Sequence, residues 1–196
     1  LTFWAKASPA ATLDVAGLGN DNTGTSKYIA EVRGLALTTS WQKYVIPIPL
    51  PEKLTDENGL FWFAEGEGIE YQIWVDEIIF DSLTTISNIR PAIIPQTITV
   101  DSGETINIGY GTVTFDVDGT DILDSAMSGY FTFFSSDEGV VSVGTDGVIT
   151  AVGVGSADLT ARLGTIDATG TITVNVNPSE AVPTEAAPTP TVNPDS

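Results

Sequence analysis

Cysteine and histidine are both missing from this 196-residue chain. Without cysteine there is neither a disulfide framework nor a thiolate metal site. Without histidine the chain lacks the commonest general base, the usual partner of a catalytic serine and the commonest transition-metal ligand, so most hydrolytic mechanisms lose a member. Basic residues are scarce: 7 stand against 26 acidic ones, for a net charge of −19. That field repels phosphate backbones and anionic membrane surfaces, which sets nucleic acid aside as a partner. It also favours neutral glycans over sulfated or uronate-rich polymers unless a calcium ion or a local basic patch intervenes. No apolar run is long enough to span a bilayer, so membrane insertion is not expected.

What is present is strand chemistry. Valine, isoleucine and threonine dominate the apolar runs, glycine, proline, asparagine and aspartate punctuate them, and helical periodicity is missing, so the chain reads as all-β. Strands are expected at Leu1–Ser8, Thr12–Gly19, Lys27–Leu37, Trp41–Ile48, Leu60–Ala64 and Glu70–Leu83. A second series is expected at Thr97–Val100, Thr105–Ile108, Gly129–Ser135, Val140–Val143, Val148–Val152, Gly155–Leu163 and Gly170–Val176, with Asp146-Gly147 as a hairpin turn pair. Strand following strand with regular turns predicts antiparallel sandwiches. The division is a first domain over 1–86, a stiff linker over 87–95 bracketed by Pro91 and Pro95, a second domain over 96–177, and a Pro/Thr/Ala-rich linker over 178–196, disordered and leaning to polyproline II. Leu1 falls inside a strand pattern with neither an initiator methionine nor a signal peptide, so the chain reads as an internal fragment whose export signal lies elsewhere.

In the second domain, Phe133-Phe134-Ser135-Ser136 runs into Val140-Val141-Ser142-Val143, then Gly147-Val148-Ile149-Thr150-Ala151 and Gly155-Ser156-Ala157. This resembles the bacterial Ig-like group 2 family, over about 80 residues, with Asp101-Ser102-Gly103-Glu104-Thr105 as its early turn and a longer, Asp-rich loop over Gly109–Ser128. The resemblance implies an Ig-like β-sandwich with a positioning role and no chemistry of its own. In the first domain, Leu1-Thr2-Phe3-Trp4-Ala5-Lys6-Ala7, Trp41-Gln42-Lys43-Tyr44-Val45-Ile46 and Ile73-Trp74-Val75-Asp76-Glu77-Ile78-Ile79-Phe80 look like the C-terminal part of a galactose-binding-like jelly roll, the architecture of many carbohydrate-binding modules. That resemblance implies a partial antiparallel sandwich whose first third would precede Leu1.

Candidate site residues follow from strand alternation. The neighbours of Trp4, Trp62 and Trp74 are apolar and would face a core, which turns the three indoles to the opposite, concave face. Indole faces there suit sugar rings, with Lys6 and Gln72 reaching their hydroxyls; the competing reading makes the same aromatics core residues. Trp41 and Tyr44 are read as packing residues, and Asn20-Asp21-Asn22-Thr23 as a turn that would rim a cleft. Asp76, by the jelly-roll resemblance, is a candidate ligand of a structural calcium ion; the alternative is a carboxylate capping a bulge. Asp116-Val117-Asp118-Gly119-Thr120-Asp121 carries alternating carboxylates, weighed as a calcium loop against a solvated hairpin turn. Glu65 and Glu67 have the spacing of a retaining glycosidase pair, but their flanking glycines argue for a loop and no catalytic residue is expected.

The function expected is therefore a non-catalytic glycan-binding module with an Ig-like spacer, from a larger secreted or cell-surface bacterial protein that processes polysaccharide. The expected ligand is a neutral β-glucan-like polymer, and further domains of the same polypeptide are expected, a glycoside hydrolase among them. The alternative is a surface adhesin or stalk with a purely structural role.

Overall fold

The computed structural model describes residues 1–55, 59–66, 68, 70–83, 85–144 and 147–179. They form an all-β protein whose non-strand regular structure, among the described residues, is two short 3₁₀ turns at Pro51–Lys53 and Ser128–Tyr130. The first strands are β1 (Thr2–Ser8), β2 (Ala11–Leu18), β3 (Ala30–Leu37), β4 (Gln42–Val45), β5 (Trp62–Ala64), β6 (Gln72–Ile79) and β7 (Ile86–Ile93). They continue with β8 (Gln96–Asp101), β9 (Thr105–Ile106), β10 (Tyr110–Val117), β11 (Thr120–Met127), β12 (Phe131–Ser135), β13 (Val141–Val143), β14 (Ile149–Ala151), β15 (Gly155–Leu163), β16 (Ile166–Asp167) and β17 (Ile172–Asn177).

Among the described residues four sheets result, in the orders β4-β1-β6, β5-β2-β3-β11-β10-β7, β12-β15-β17-β8 and β13-β14-β9, with β16 added to β15. All pairings between these strands are antiparallel except β17 with β8. Alternation produces the core directly. In β10, Val113, Phe115 and Val117 are buried, and in β15 Ala157, Leu159, Ala161 and Leu163 are, with more accessible residues between them. The buried side of β1 carries Phe3, Ala5 and Ala7. Phe3 meets Phe61 at 5.1 Å between ring centroids, and Phe61 meets Phe63, which lies opposite Ala16 of β2, so the three-stranded sheet packs on the six-stranded one. Each large apolar side chain taken out of water stabilises the fold by about 1.5–3 kcal/mol.

The six-stranded sheet crosses the boundary expected at 87–95. The stretch read as a linker is β7, hydrogen-bonded along β10, and the stretch read as a long loop over Gly109–Ser128 contains β10 and β11. β11 in turn pairs with β3 through Ser125↔Glu31 and Ala126↔Ala30. Proline is tolerated in β7 because of its position. Pro91 lies at the outer strand of the sheet, and its carbonyl accepts from Thr169 N–H (3.0 Å) on the side away from β10, so the N–H that proline lacks is not needed by the ladder. Ile93 N–H donates to Thr169 O (2.8 Å), and β7 thereby touches both halves of the chain.

The Asp-rich stretch forms the tight β10–β11 connection. Val117 faces Thr120, and Asp118 (φ 53°) and Gly119 (φ 80°) are the two central residues of a turn with positive φ at both, the I′ geometry that suits the strand twist. Asp116 Oδ1 accepts the Gly119 N–H at 2.9 Å. β13 and β14 are likewise a hairpin, with Val143 opposite Ile149 and Gly147 at φ 81°; Asp146 lies outside the described residues, as does the tail from 180 onward.

Among the described residues Thr2, Glu31 and Asp124 are buried against the apolar pattern. Asp124 of β11 is fully buried, and neither carboxylate oxygen has a hydrogen-bond partner among the described residues. Burial pushes its carboxyl well above the usual range, Glu31 adds to that, and the ammonium of Leu1 opposes it. The same ammonium donates to Ile46 O at 3.0 Å.

Candidate glycan-binding face

The candidate site is built on the outer side of the sheet β4-β1-β6. Because Phe3, Ala5 and Ala7 point inward, Trp4 and Lys6 point outward. Register then decides their neighbours. Trp4 lies opposite Lys43 of β4 and Asp76 of β6, Lys6 opposite Trp74, and Ser8 opposite Gln72. Residues directly opposite share a face, so Trp4, Lys6, Gln72 and Trp74 come together as the alternation predicted. The Lys6 ammonium lies 5.1 Å from the Trp74 ring centroid and 5.1 Å from that of Trp41. Both indoles are 40% exposed. A cation held over two aromatic faces is an attractive arrangement, stronger as water is excluded.

Trp41 belongs to this face and not to the packing side. Tyr44 does pack, as expected: its ring stacks on Phe3 (5.5 Å, 23° between planes) and its hydroxyl donates to Ala36 O at 2.7 Å. The signal was available in the alternation. Trp41 and Tyr44 are an odd number of residues apart, so along one strand they face opposite sides.

Trp62 is elsewhere. It sits on β5, at the edge of the six-stranded sheet, directly opposite Gly17 of β2. Gly17 is opposite Glu31, and Glu31 is opposite Ser125, which places Trp62 and Glu31 on one face of that sheet. Glu31 is only 4% exposed and forms an ion pair with Arg33. The Tyr110 phenol is pushed up by burial and by Glu31, against a lowering pull from Arg33, so it belongs to the same neighbourhood. The Trp62 Nε1 is buried and has no hydrogen-bond partner among the described residues. Glu31, Arg33 and Tyr110 carried no signal in the sequence, because their proximity depends on β11 and β10 lying beside β3.

Asp76 occupies a bulge. The β1–β6 register shifts between Thr2 and Trp4, Glu77 takes a φ of 49°, and Asp76 Oδ1 accepts the Glu77 N–H at 2.8 Å. Among the described residues no three or more aspartates or glutamates cluster as a metal site would require. Glu65 anchors a loop: its Oε2 accepts from Asp14 N–H (3.1 Å) and from the Tyr71 hydroxyl (2.8 Å), while Asp14 Oδ2 accepts from Gly66 N–H (2.8 Å). Burial first, then the bond to Glu65, push the Tyr71 phenol up to about 12. Glu67 lies outside the described residues. The Asn20–Thr23 segment is a self-bonded turn: Asp21 Oδ1 accepts from the Thr23 and Ser26 hydroxyls at 2.7 Å each, which lowers the Asp21 carboxyl.

No protein-family model matches the chain, and no curated protein is detectably similar to it.

Proposed function

We propose that this chain is a non-catalytic glycan-binding module joined to an Ig-like spacer, part of a larger secreted or cell-surface bacterial protein that processes polysaccharide. The observation that carries this reading is the exposed face on which Trp41 and Trp74 flank Lys6, with Trp4 and Gln72 beside them. Flat aromatic rings on an open sheet meet the C–H faces of sugar rings, and amide and ammonium groups reach the hydroxyls. The absence of histidine fits a binding role. Net charge taken alone, at −19, points to a neutral β-glucan-like polymer as the ligand. A structural calcium ion drawing on Asp76 is part of the same reading and needs further oxygen ligands to reach the usual six to eight.

The test is retention of the full chain in affinity gels containing a panel of polysaccharides, with and without calcium, for wild type, Trp74→Ala and Trp41→Ala. Retention on a polysaccharide that either substitution weakens supports the site. Retention that neither substitution changes moves the site to the Trp62 face, and no retention on any polysaccharide favours the stalk. The stalk reading has its own observation in β7, whose bonds to both β10 and Thr169 would hold two modules at a set angle.

A further inference from the structure

We infer that the Trp41–Lys6–Trp74 face selects a glycan bearing carboxylates, a uronic-acid polymer, over a neutral one. This rests on the glycan-binding reading above and names the ligand class of that same site. Lys6 stands over both rings at 5.1 Å, so the ring faces that a neutral sugar would use are already turned toward an ammonium group. A neutral pyranose must displace that cation and give up its attraction to the two rings. A uronate instead meets Lys6 with its carboxylate while its ring C–H groups lie against the indoles. The ammonium that leaves the rings then gains a carboxylate in exchange.

Local charge on this face reverses the global balance. The chain has only 7 basic residues, and 2 of them, Lys6 and Lys43, lie on this one side of a three-stranded sheet, next to Trp4. The opposing charge on the face is Asp76, opposite Trp4, whose Oδ1 is engaged by the Glu77 N–H. The carboxylates that weigh least on this face are those more than a Debye length away. At physiological salt the Debye length is about 8 Å, so their repulsion is largely screened, whereas a contact between Lys6 and a carboxylate beside two indoles keeps most of its strength. The net charge of −19 therefore does not govern specificity at this face.

Isothermal titration of the full chain at about 0.15 M salt compares three probes: a galacturonate oligosaccharide, its fully methyl-esterified form and a gluco-oligosaccharide of equal length. Esterification removes the charge and leaves the sugar ring. The expected result is that the acid form binds about tenfold tighter than the ester. The Lys6→Gln/Lys43→Gln double variant is expected to lose that margin, its acid-form affinity falling to that of the ester, and Trp74→Ala to weaken both. Neither lysine is buried, and an unchanged thermal midpoint checks that the variants fold. Equal binding of acid and ester, or a double variant that keeps the preference, overturns the inference and leaves glycan binding standing. Binding of the gluco-oligosaccharide as tight as that of the acid form likewise overturns the inference. No binding of any probe overturns the glycan reading itself.

Discussion

Gly17 and Trp62 face each other across β2 and β5, and the indole closes over the place where a side chain on Gly17 would be. A Cβ at Gly17 would stand 3.0 Å from Trp62 Nε1 and 2.5 Å from the Ala30 carbonyl oxygen. The backbone contact has no room to relax. Gly17→Ala is expected to destabilise the protein by about 1–3 kcal/mol, as overpacking does, read from the denaturant midpoint. It should also change Trp62 fluorescence while leaving the Trp41–Trp74 face unaltered.

Asp124 predicts an unusual pH dependence. Its folded carboxyl is raised by burial, so between the ordinary carboxylate value and the folded one the native state holds a proton that the unfolded chain has lost. Stability from this group is intact below the unfolded value, falls as pH rises from about 4, and levels off once pH passes the folded value. The expected slope is about 1.4 kcal/mol per pH unit across that window. Asp124→Asn should flatten this segment of the curve in chemical denaturation at a series of pH values; a variant curve parallel to wild type would refute the assignment.

Tyr71 gives the corresponding test at high pH. Its phenol is raised to about 12, so stability attributable to it declines as pH climbs from about 10 toward that value. Absorbance titration of the phenolates should show Tyr71 among the late-ionising tyrosines, with Tyr44 and Tyr110, which burial also raises. Glu65→Gln, which removes the carboxylate from the Tyr71 hydroxyl, should bring that tyrosine down, though not to the ordinary value, since burial is the larger cause.

The β10–β11 turn offers a local test. Gly119 is at φ 80°, and no atom lies within 4 Å of the place a Cβ would take, so Gly119→Ala meets backbone strain and no steric neighbour. The expected cost is about 1 kcal/mol. Asp118→Asn keeps a residue that tolerates positive φ and should be close to neutral. A loss for Asp118→Asn equal to that for Gly119→Ala would show that the Asp118 carboxylate has a role beyond the turn.

Much of the local structure was legible in the amino-acid order. The β15 range matches its expectation residue for residue, Gly155–Leu163, because a strict alternation of small or apolar with polar residues runs its whole length. The face that gathers Trp4, Lys6, Gln72 and Trp74 was legible for the same reason. β7 and the β10–β11 hairpin were not: Pro91 and the aspartates resemble loop punctuation, and their strand character depends on neighbours distant in sequence. Trp62 was grouped with the other tryptophans by its neighbours' polarity alone, which does not say which sheet a strand will join.

By itself, then, the amino-acid order determined an all-β chain and the in-or-out sense of most strands, since these follow from period-two side-chain geometry. Tertiary structure decided which strands became neighbours. It set Lys6 between Trp41 and Trp74, put Glu31 beside Ser125, and separated Trp62 from the other indoles. The reason is that backbone ladders accept any strand as a partner, so the choice falls to burial of whole sheet faces, a quantity summed over residues far apart in the chain.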